Sequence, residues 1–212
     1  MLKNDIDYRL YLVTDQSLLK SHTLQEAVKQ ALDGGITVLQ LREKAASSRD
    51  FFEEAHRLKE LTDYYGVPLI INDRVDIALA CDADGVHVGQ TDLPVAMVRK
   101  MIGPEKIIGA SVQTVEQAIL AEKAGADYLG VGAMFPTSTK SDAIEVTKTE
   151  LKNILQNVSI PVVLIGGLNE RTIAAFKDFP IQGFAVVSAI LAKQEIKKTT
   201  QELFTQINKF IK

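Results

Sequence analysis

The sequence predicts a single (β/α)8 barrel. Apolar runs with strand character alternate with amphipathic helical stretches along all 212 residues, and eight such pairs can be placed. Several of the runs, among them Leu69-Ile70-Ile71 and Val162-Val163-Leu164-Ile165, are apolar on both faces. That is the pattern of parallel strands covered by helices, and eight such units in series fit a closed barrel. An open doubly wound sheet is the structural rival, and eight units in a chain this short favour closure. No composition shift or low-complexity linker interrupts the chain, so residues 1–212 read as one domain.

The strands are expected, in order, over Arg9–Thr14, Val38–Leu41, Pro68–Ile71, Gly85–Val88, Lys106–Ala110, Tyr128–Gly132, Pro161–Ile165 and Gly183–Val187. Each is a short run bounded by polar, Gly or Pro residues. The intervening helices are expected over Leu24–Asp33, Arg49–Tyr65, Val75–Cys81, Pro94–Met101, Val115–Ala124, Thr149–Gln156, Glu170–Asp178 and Ile196–Ile211. In the second, Phe51, Phe52, Ala55, Leu58, Leu61 and Tyr65 gather on one face at helical spacing. Thr114 followed by Gln117 has the form of a capping box, and Asn169 stands where an N-cap belongs ahead of Glu170-Arg171-Thr172.

Bulk composition excludes several function classes. At 46% apolar and 24% charged residues the chain is globular rather than disordered. A net charge of −3 argues against a chain-wide nucleic-acid footprint, so any anion binding must be local. Cys81 is the only cysteine, which rules out an intrachain disulfide or a thiolate metal cluster, and its setting is that of a small core residue. Residues Met1–Asp5 show no apolar signal core, and no stretch is long enough to span a bilayer. The expected setting is cytoplasmic, with small phosphorylated molecules as partners and neither nucleic acid nor membrane. A homo-oligomer stays open.

In a barrel of this type the C-terminal strand ends share one mouth, where active sites lie. Asn72 and Asp73 end the third strand, and Asp92 lies just beyond the fourth. Two carboxylates on adjacent loops suit one Mg²⁺, which takes one or two protein carboxylates and completes its shell with water and substrate phosphate. Helix capping is the competing role, because each aspartate precedes a helical pattern. Gln40-Leu41-Arg42-Glu43-Lys44 breaks out of the second strand. Arg42 can grip a phosphate bidentately and Lys44 adds a point charge, against the alternative of a solvated loop. Pro136-Thr137-Ser138-Thr139-Lys140 follows the sixth strand with hydroxyls and a cation, suited to a phosphate cradle or simply to a hydroxyl-rich turn. Ser111 closes the fifth strand, where it can bond a substrate or cap the next helix.

Gly166-Gly167 closes the seventh strand and Val187-Ser188-Ala189-Ile190 the eighth. Loops seven and eight with a short extra helix are the usual monophosphate site of this fold. His22 and His56 lie on polar stretches, and His87 lies within the fourth strand, where a barrel-lining structural role is expected. No Ser–His–Asp arrangement nominates a nucleophile. Two phosphate stations therefore emerge: a metal-assisted diphosphate site with several cations, and a standing monophosphate grip. Such a mouth suits the joining of two phosphorylated substrates with electrostatic assistance to a departing diphosphate.

The motifs Tyr11-Leu12-Val13-Thr14-Asp15, Gln40-Leu41-Arg42-Glu43-Lys44, Ile71-Asn72-Asp73, His87-Val88-Gly89-Gln90-Thr91-Asp92, Gly109-Ala110-Ser111, Pro136-Thr137-Ser138-Thr139-Lys140 and Ile165-Gly166-Gly167 closely resemble the thiamine-phosphate synthase family, in order from about Tyr8 to Ile190. The resemblance implies a barrel that couples hydroxymethylpyrimidine diphosphate to thiazole phosphate, releasing thiamine phosphate and diphosphate. It implies that Gln40, Leu41, Arg42, Glu43, Lys44, Asn72, Ser111 and Lys140 bind the pyrimidine diphosphate. Asp73 and Asp92 would ligate one Mg²⁺ per subunit. Thr137, Ser138, Thr139, Gly167, Val187 and Ser188 would hold the thiazole phosphate. Lys140, Arg42, Lys44 and Ser111 are the candidate catalytic residues. The implied mechanism is dissociative: diphosphate leaves first and the thiazole nitrogen captures a pyrimidine-stabilised cation, which agrees with the lack of a nucleophile or base. A thiazole tautomerase-like relative shares the barrel but has no diphosphate to handle, and a non-catalytic phosphate-binding barrel has no use for the carboxylate pair.

Overall fold

Eight parallel strands close on themselves in chain order, with β1 (Leu10–Val13) bonded to both β2 (Val38–Leu41) and β8 (Gly183–Val186). Between them run β3 (Leu69–Asn72), β4 (Gly85–Val88), β5 (Ile107–Val112), β6 (Tyr128–Val131) and β7 (Val162–Leu164). The computed structural model of the chain describes residues 5–137 and 145–211. The helices are α1 (Leu24–Gly34), α2 (Ser48–Tyr65), α3 (Val75–Ala80), α4 (Val95–Ile102), α5 (Val115–Lys123), α6 (Lys148–Asn157), α7 (Ser188–Leu191) and α8 (Ile196–Ile207). The closed parallel barrel predicted from the sequence is the fold observed.

Strand alternation sorts the side chains into two cores. Leu10, Leu12, Leu39, Leu41, Leu69, Ile71, Val86, Val88, Leu129 and Val131 point outward and pack under the helices. Tyr11, Val13, Val38, Ile70, Ile107, Tyr128, Val163 and Ala185 point inward and fill the barrel. Both faces of every strand are therefore buried, which is why the runs carry apolar residues at successive positions. The helices contribute one stripe each. In α1, Leu24, Ala27, Val28, Ala31 and Leu32 are buried at helical spacing. A full capping box of Thr23 and Glu26 starts that helix, and left-handed Gly35 ends it. In α2, Ser47 caps the start and left-handed Gly66 ends it.

Five expectations are corrected. The helix expected over Glu170–Asp178 is only a 3₁₀ segment, Ile173–Phe176. Its two buried residues, Ile173 and Phe176, are three apart, a spacing that a 3₁₀ turn satisfies as well as an α-helix. Asn169 does not cap it: its Oδ1 accepts from the N–H of Arg171 at 2.9 Å, and Thr172 Oγ1 accepts from the N–H of Asn169 at 2.9 Å. Such local side-chain bonds offer the backbone an alternative to helix. The last helix stops at Ile207 rather than Ile211. β5 runs on to Val112, so Ser111 lies inside the strand. Thr114 does cap α5, but Gln117 returns its bond to the N–H of Gln113, one residue earlier than a capping box requires.

Candidate functional site

A cavity of about 570 Å³ opens at the C-terminal ends of the strands. Gln40, Arg42 and Lys44 line it from the end of β2, Asn72 and Asp73 from β3, Asp92 from the loop after β4, and Ser111 from β5. Thr137, Gly167, Val187 and Ser188 line it from the later loops. Two residues of the β2 pentad turn away. Leu41 is fully buried under the helices, and Glu43 accepts a hydrogen bond from Gln16 Nε2 at 2.8 Å. Strand parity is the cause: Gln40 and Arg42 face inward, so Leu41 and Glu43 cannot. Any contact of those two with a ligand in the mouth is through the backbone. Ser138, Thr139 and Lys140 lie outside the described residues.

Asp73 and Asp92 are not helix caps. The residue at the N-cap of α3 is Arg74 and that of α4 is Pro94, and neither helix has a side-chain cap. Asp73 instead sits immediately after β3 in the left-handed region (φ 62), with its N–H donating to the carbonyl of His87 at 2.8 Å. Aspartate tolerates that conformation better than most residues, and the bond to β4 holds it there. Asp92 Oδ2 accepts from the N–H of Gly89 at 2.8 Å, which folds the β4 loop back on itself. Lys44 Nζ forms an ion pair with Asp73 Oδ2. Burial pushes the Asp92 carboxyl above its usual range; the Gly89 N–H opposes this, and the neighbouring Asp73 adds to it. Two carboxylates crowded at one mouth, with a lysine ammonium already drawn to one of them, form a donor set that suits a hard divalent cation. Among the described residues no third His, Cys, Asp or Glu joins them, which leaves coordination positions for water and phosphate oxygens.

The raised Asp92 carboxyl predicts a pH dependence with a definite sign. A carboxyl whose pKa is raised on folding adds stability at pH below the ordinary carboxylate range, and that contribution is lost as pH rises through the elevated value. A carboxyl must be ionised to ligate a metal, so if Asp92 holds Mg²⁺ the apparent affinity for the ion rises over the same interval. Thermal melts from acid to neutral pH, with and without Mg²⁺, should show stabilisation by the ion growing as pH rises. Asp92→Asn should abolish that growth; an Mg²⁺ effect independent of pH would contradict the coupling.

The cations and polar groups are held in place from below. The backbone N–H of Arg42 donates to Thr14 Oγ1 at 2.9 Å, and its guanidinium lies 3.8 Å from Asp15. Gln90 Nε2 donates to the Ser111 carbonyl at 2.7 Å, tying the β4 loop to β5. At the other side of the mouth, Gly166 and Gly167 are both left-handed (φ 95 and 65). A Cβ on Gly166 would lie 2.5 Å from that of Ala133, and one on Gly167 2.6 Å from that of Phe135. The glycine pair thus lets loop seven zip onto loop six, through Met134 N–H to Ile165 O and Phe135 N–H to Gly166 O. Val187 and Ser188 open the short helix α7 at the same edge, which has no side-chain cap.

Sequence reasoning missed part of the site. Tyr11, Tyr128, Gln90 and Gly130 also line the cavity, whereas His87, expected to line the barrel, does so beneath Ser111. The available signal was strand parity, because Tyr11 and Gln40 sit inward on their strands, as do His87, Ser111 and Tyr128 on theirs.

The profile of a family described as thiamine monophosphate synthase matches residues 10–190. The chain is 56% identical to a thiamine-phosphate synthase of Clostridium beijerinckii over 211 residues, covering 100% of both chains. It is 58% identical to a thiamine-phosphate synthase of Ruminiclostridium cellulolyticum over 202 residues, covering 95% and 96% of the two. A solved structure of thiamine phosphate pyrophosphorylase from Pyrococcus furiosus superposes with a TM-score of 0.90 at 40% identity, covering 98% of each chain.

Proposed function

Because the chain belongs to the thiamine monophosphate synthase family, we propose that its barrel mouth joins hydroxymethylpyrimidine diphosphate to thiazole phosphate by dissociative loss of diphosphate. The observation that carries this reading is the convergence of Asp73 and Asp92, with Arg42 and Lys44, on the cavity that Gly167, Val187 and Ser188 also line. One end of the mouth is thereby suited to a leaving diphosphate and the other to a standing monophosphate.

Asp73 and Asp92 would hold one Mg²⁺, whose chemistry is to neutralise charge that builds on the departing diphosphate. Arg42 grips phosphate oxygens as a planar fork, and the Lys44 ammonium, beside Asp73, adds a point charge for the same group. Gln40, Asn72 and Ser111 orient the pyrimidine, and Thr137, Gly167, Val187 and Ser188 the thiazole phosphate, together with Ser138 and Thr139. The inward polar groups supply no nucleophile and need none, since the thiazole nitrogen attacks with a free lone pair. Among the described residues no helix is long and apolar enough to cross a membrane.

Purified protein mixed with both substrates and Mg²⁺ should release one diphosphate for each thiamine phosphate formed; failure to release diphosphate would overturn the proposal. Lys140 is assigned to the leaving charge. Lys140→Ala should slow the chemical step in single turnover about 10²-fold, the scale of losing one positioned electrostatic group. Unchanged single-turnover rates would remove Lys140 from that role.

A further inference from the structure

Beneath the mouth a continuous hydrogen-bonded chain crosses the barrel interior. Gln40 Nε2 donates to Tyr11 Oη at 2.7 Å, and Tyr11 Oη lies 2.7 Å from Tyr128 Oη. Tyr128 Oη lies 2.8 Å from His87 Nδ1, and His87 Nε2 lies 2.8 Å from Ser111 Oγ. The two tyrosines are buried to 1% exposure, Gln40 to 5% and His87 to 8%. The space is made by glycines: a Cβ on Gly109 would fall 2.4 Å from His87 Nδ1, and one on Gly130 3.1 Å from His87 Cε1. Tyr8, whose ring centroid is 4.9 Å from that of Tyr128, has no hydrogen bond among the described residues and does not interrupt the chain.

Such a chain has only two self-consistent polarities. Each hydroxyl has one proton, and a neutral imidazole carries one N–H. If Gln40 donates to Tyr11, then Tyr11 donates to Tyr128 and Tyr128 to His87 Nδ1. The His87 proton is then on Nε2 and faces Ser111 Oγ, whose own proton is free for the cavity. In the reverse polarity Gln40 turns its carbonyl inward, His87 carries its proton on Nδ1, and Ser111 donates to Nε2. Any mixture leaves a buried donor or acceptor unmatched. From this we infer that Tyr11, Tyr128 and His87 are positioning residues that couple the amide orientation of Gln40 to the hydroxyl orientation of Ser111. The mouth then presents the Gln40 carbonyl beside the Ser111 proton, or the Gln40 NH₂ beside a Ser111 oxygen that can only accept, and never a donor at both. Resting on the ligand proposed above, this selects a heteroaromatic edge with a donor beside an acceptor over an edge with two acceptors.

The test needs no ligand, so its failure is separate from failure of the proposed function. The whole chain is labelled with ¹⁵N-histidine and studied at mildly alkaline pH, with His87 assigned by its loss in His87→Gln. The wild type should show His87 protonated on Nε2. Gln40→Glu places a carboxylate that can only accept from Tyr11, so the ring-nitrogen shifts should exchange and the proton move to Nδ1, although residue 40 does not touch His87. A folded Gln40→Glu with the wild-type tautomer would overturn the inference. A second arm uses Tyr128→Phe, which removes one link at nearly constant volume. The Tyr11 proton then has only Gln40 to turn to, so the Gln40 amide should flip and its NH₂ lose protection from solvent exchange. Retained protection in that variant would equally overturn the coupling.

Discussion

Asp92→Ala is expected to lower kcat/KM about 10²–10³-fold while the barrel remains folded. A metal-bound transition state is stabilised by several kcal/mol relative to one without the ion, and each 1.36 kcal/mol is tenfold in rate. If Asp92 is one of two protein ligands to the ion, as proposed, its loss forfeits much of that. The fold is spared because Asp92 caps no helix and its bond from the Gly89 N–H, to a charged acceptor, is worth about 1.5–3 kcal/mol. Removal of a carboxyl whose ionisation burial and Asp73 disfavour offsets part of even that loss. Steady-state rates with saturating Mg²⁺ and a thermal melt on the same sample decide the matter. Wild-type turnover would return Asp92 to a structural role in its loop.

Gly109→Ala is expected to be strongly destabilising. Its Cβ would lie 2.1 Å from Tyr128 Cζ, 2.3 Å from Tyr128 Oη and 2.4 Å from His87 Nδ1. Both rings are walled in by neighbouring strands, so neither can swing aside without breaking the Tyr128–His87 bond. Overpacking of this kind costs about 1–3 kcal/mol, and a disrupted buried hydrogen bond adds about as much again. For a chain of this size that corresponds to a fall in Tm of roughly 5–15 °C. Activity should fall with it, because Gln40 and Ser111 lose their common support. Gly130→Ala, whose Cβ would meet His87 Cε1 at 3.1 Å, should be clearly milder. Equal melting temperatures for wild type and Gly109→Ala would show that the barrel interior is more compliant than its packing indicates.

Much of this was legible in the sequence, for identifiable reasons. Strands such as Val38–Leu41 and Gly85–Val88 fall at the expected residues because short apolar runs between turn residues have few other solutions. The helical pattern at Glu170–Asp178 misled because two apolar residues three apart do not distinguish a 3₁₀ turn from an α-helix. Asp73 and Asp92 could be chosen as site residues from position alone, yet their rival role as caps could be dismissed only once the N-caps were seen to be Arg74 and Pro94. The Gly166-Gly167 pair was legible as the end of the seventh strand, while its close packing against Ala133 and Phe135 of loop six emerges only in the assembled barrel. The polar chain through Tyr11, Tyr128 and His87 was hidden because no short motif encodes it. It depends on the register that sets His87 opposite Gly109 and Gly109 opposite Tyr128, and register is a property of the assembled sheet.

The central claim is that Asp73 and Asp92 hold a cation that in turn holds diphosphate. Calorimetric titration of diphosphate into the wild-type protein, with and without Mg²⁺, tests it without reliance on turnover. Mg²⁺ should raise diphosphate affinity at least tenfold in the wild type and leave it unchanged in Asp73→Ala/Asp92→Ala. The same affinity with and without the ion in the wild type, or an undiminished Mg²⁺ effect in the double variant, would contradict the account.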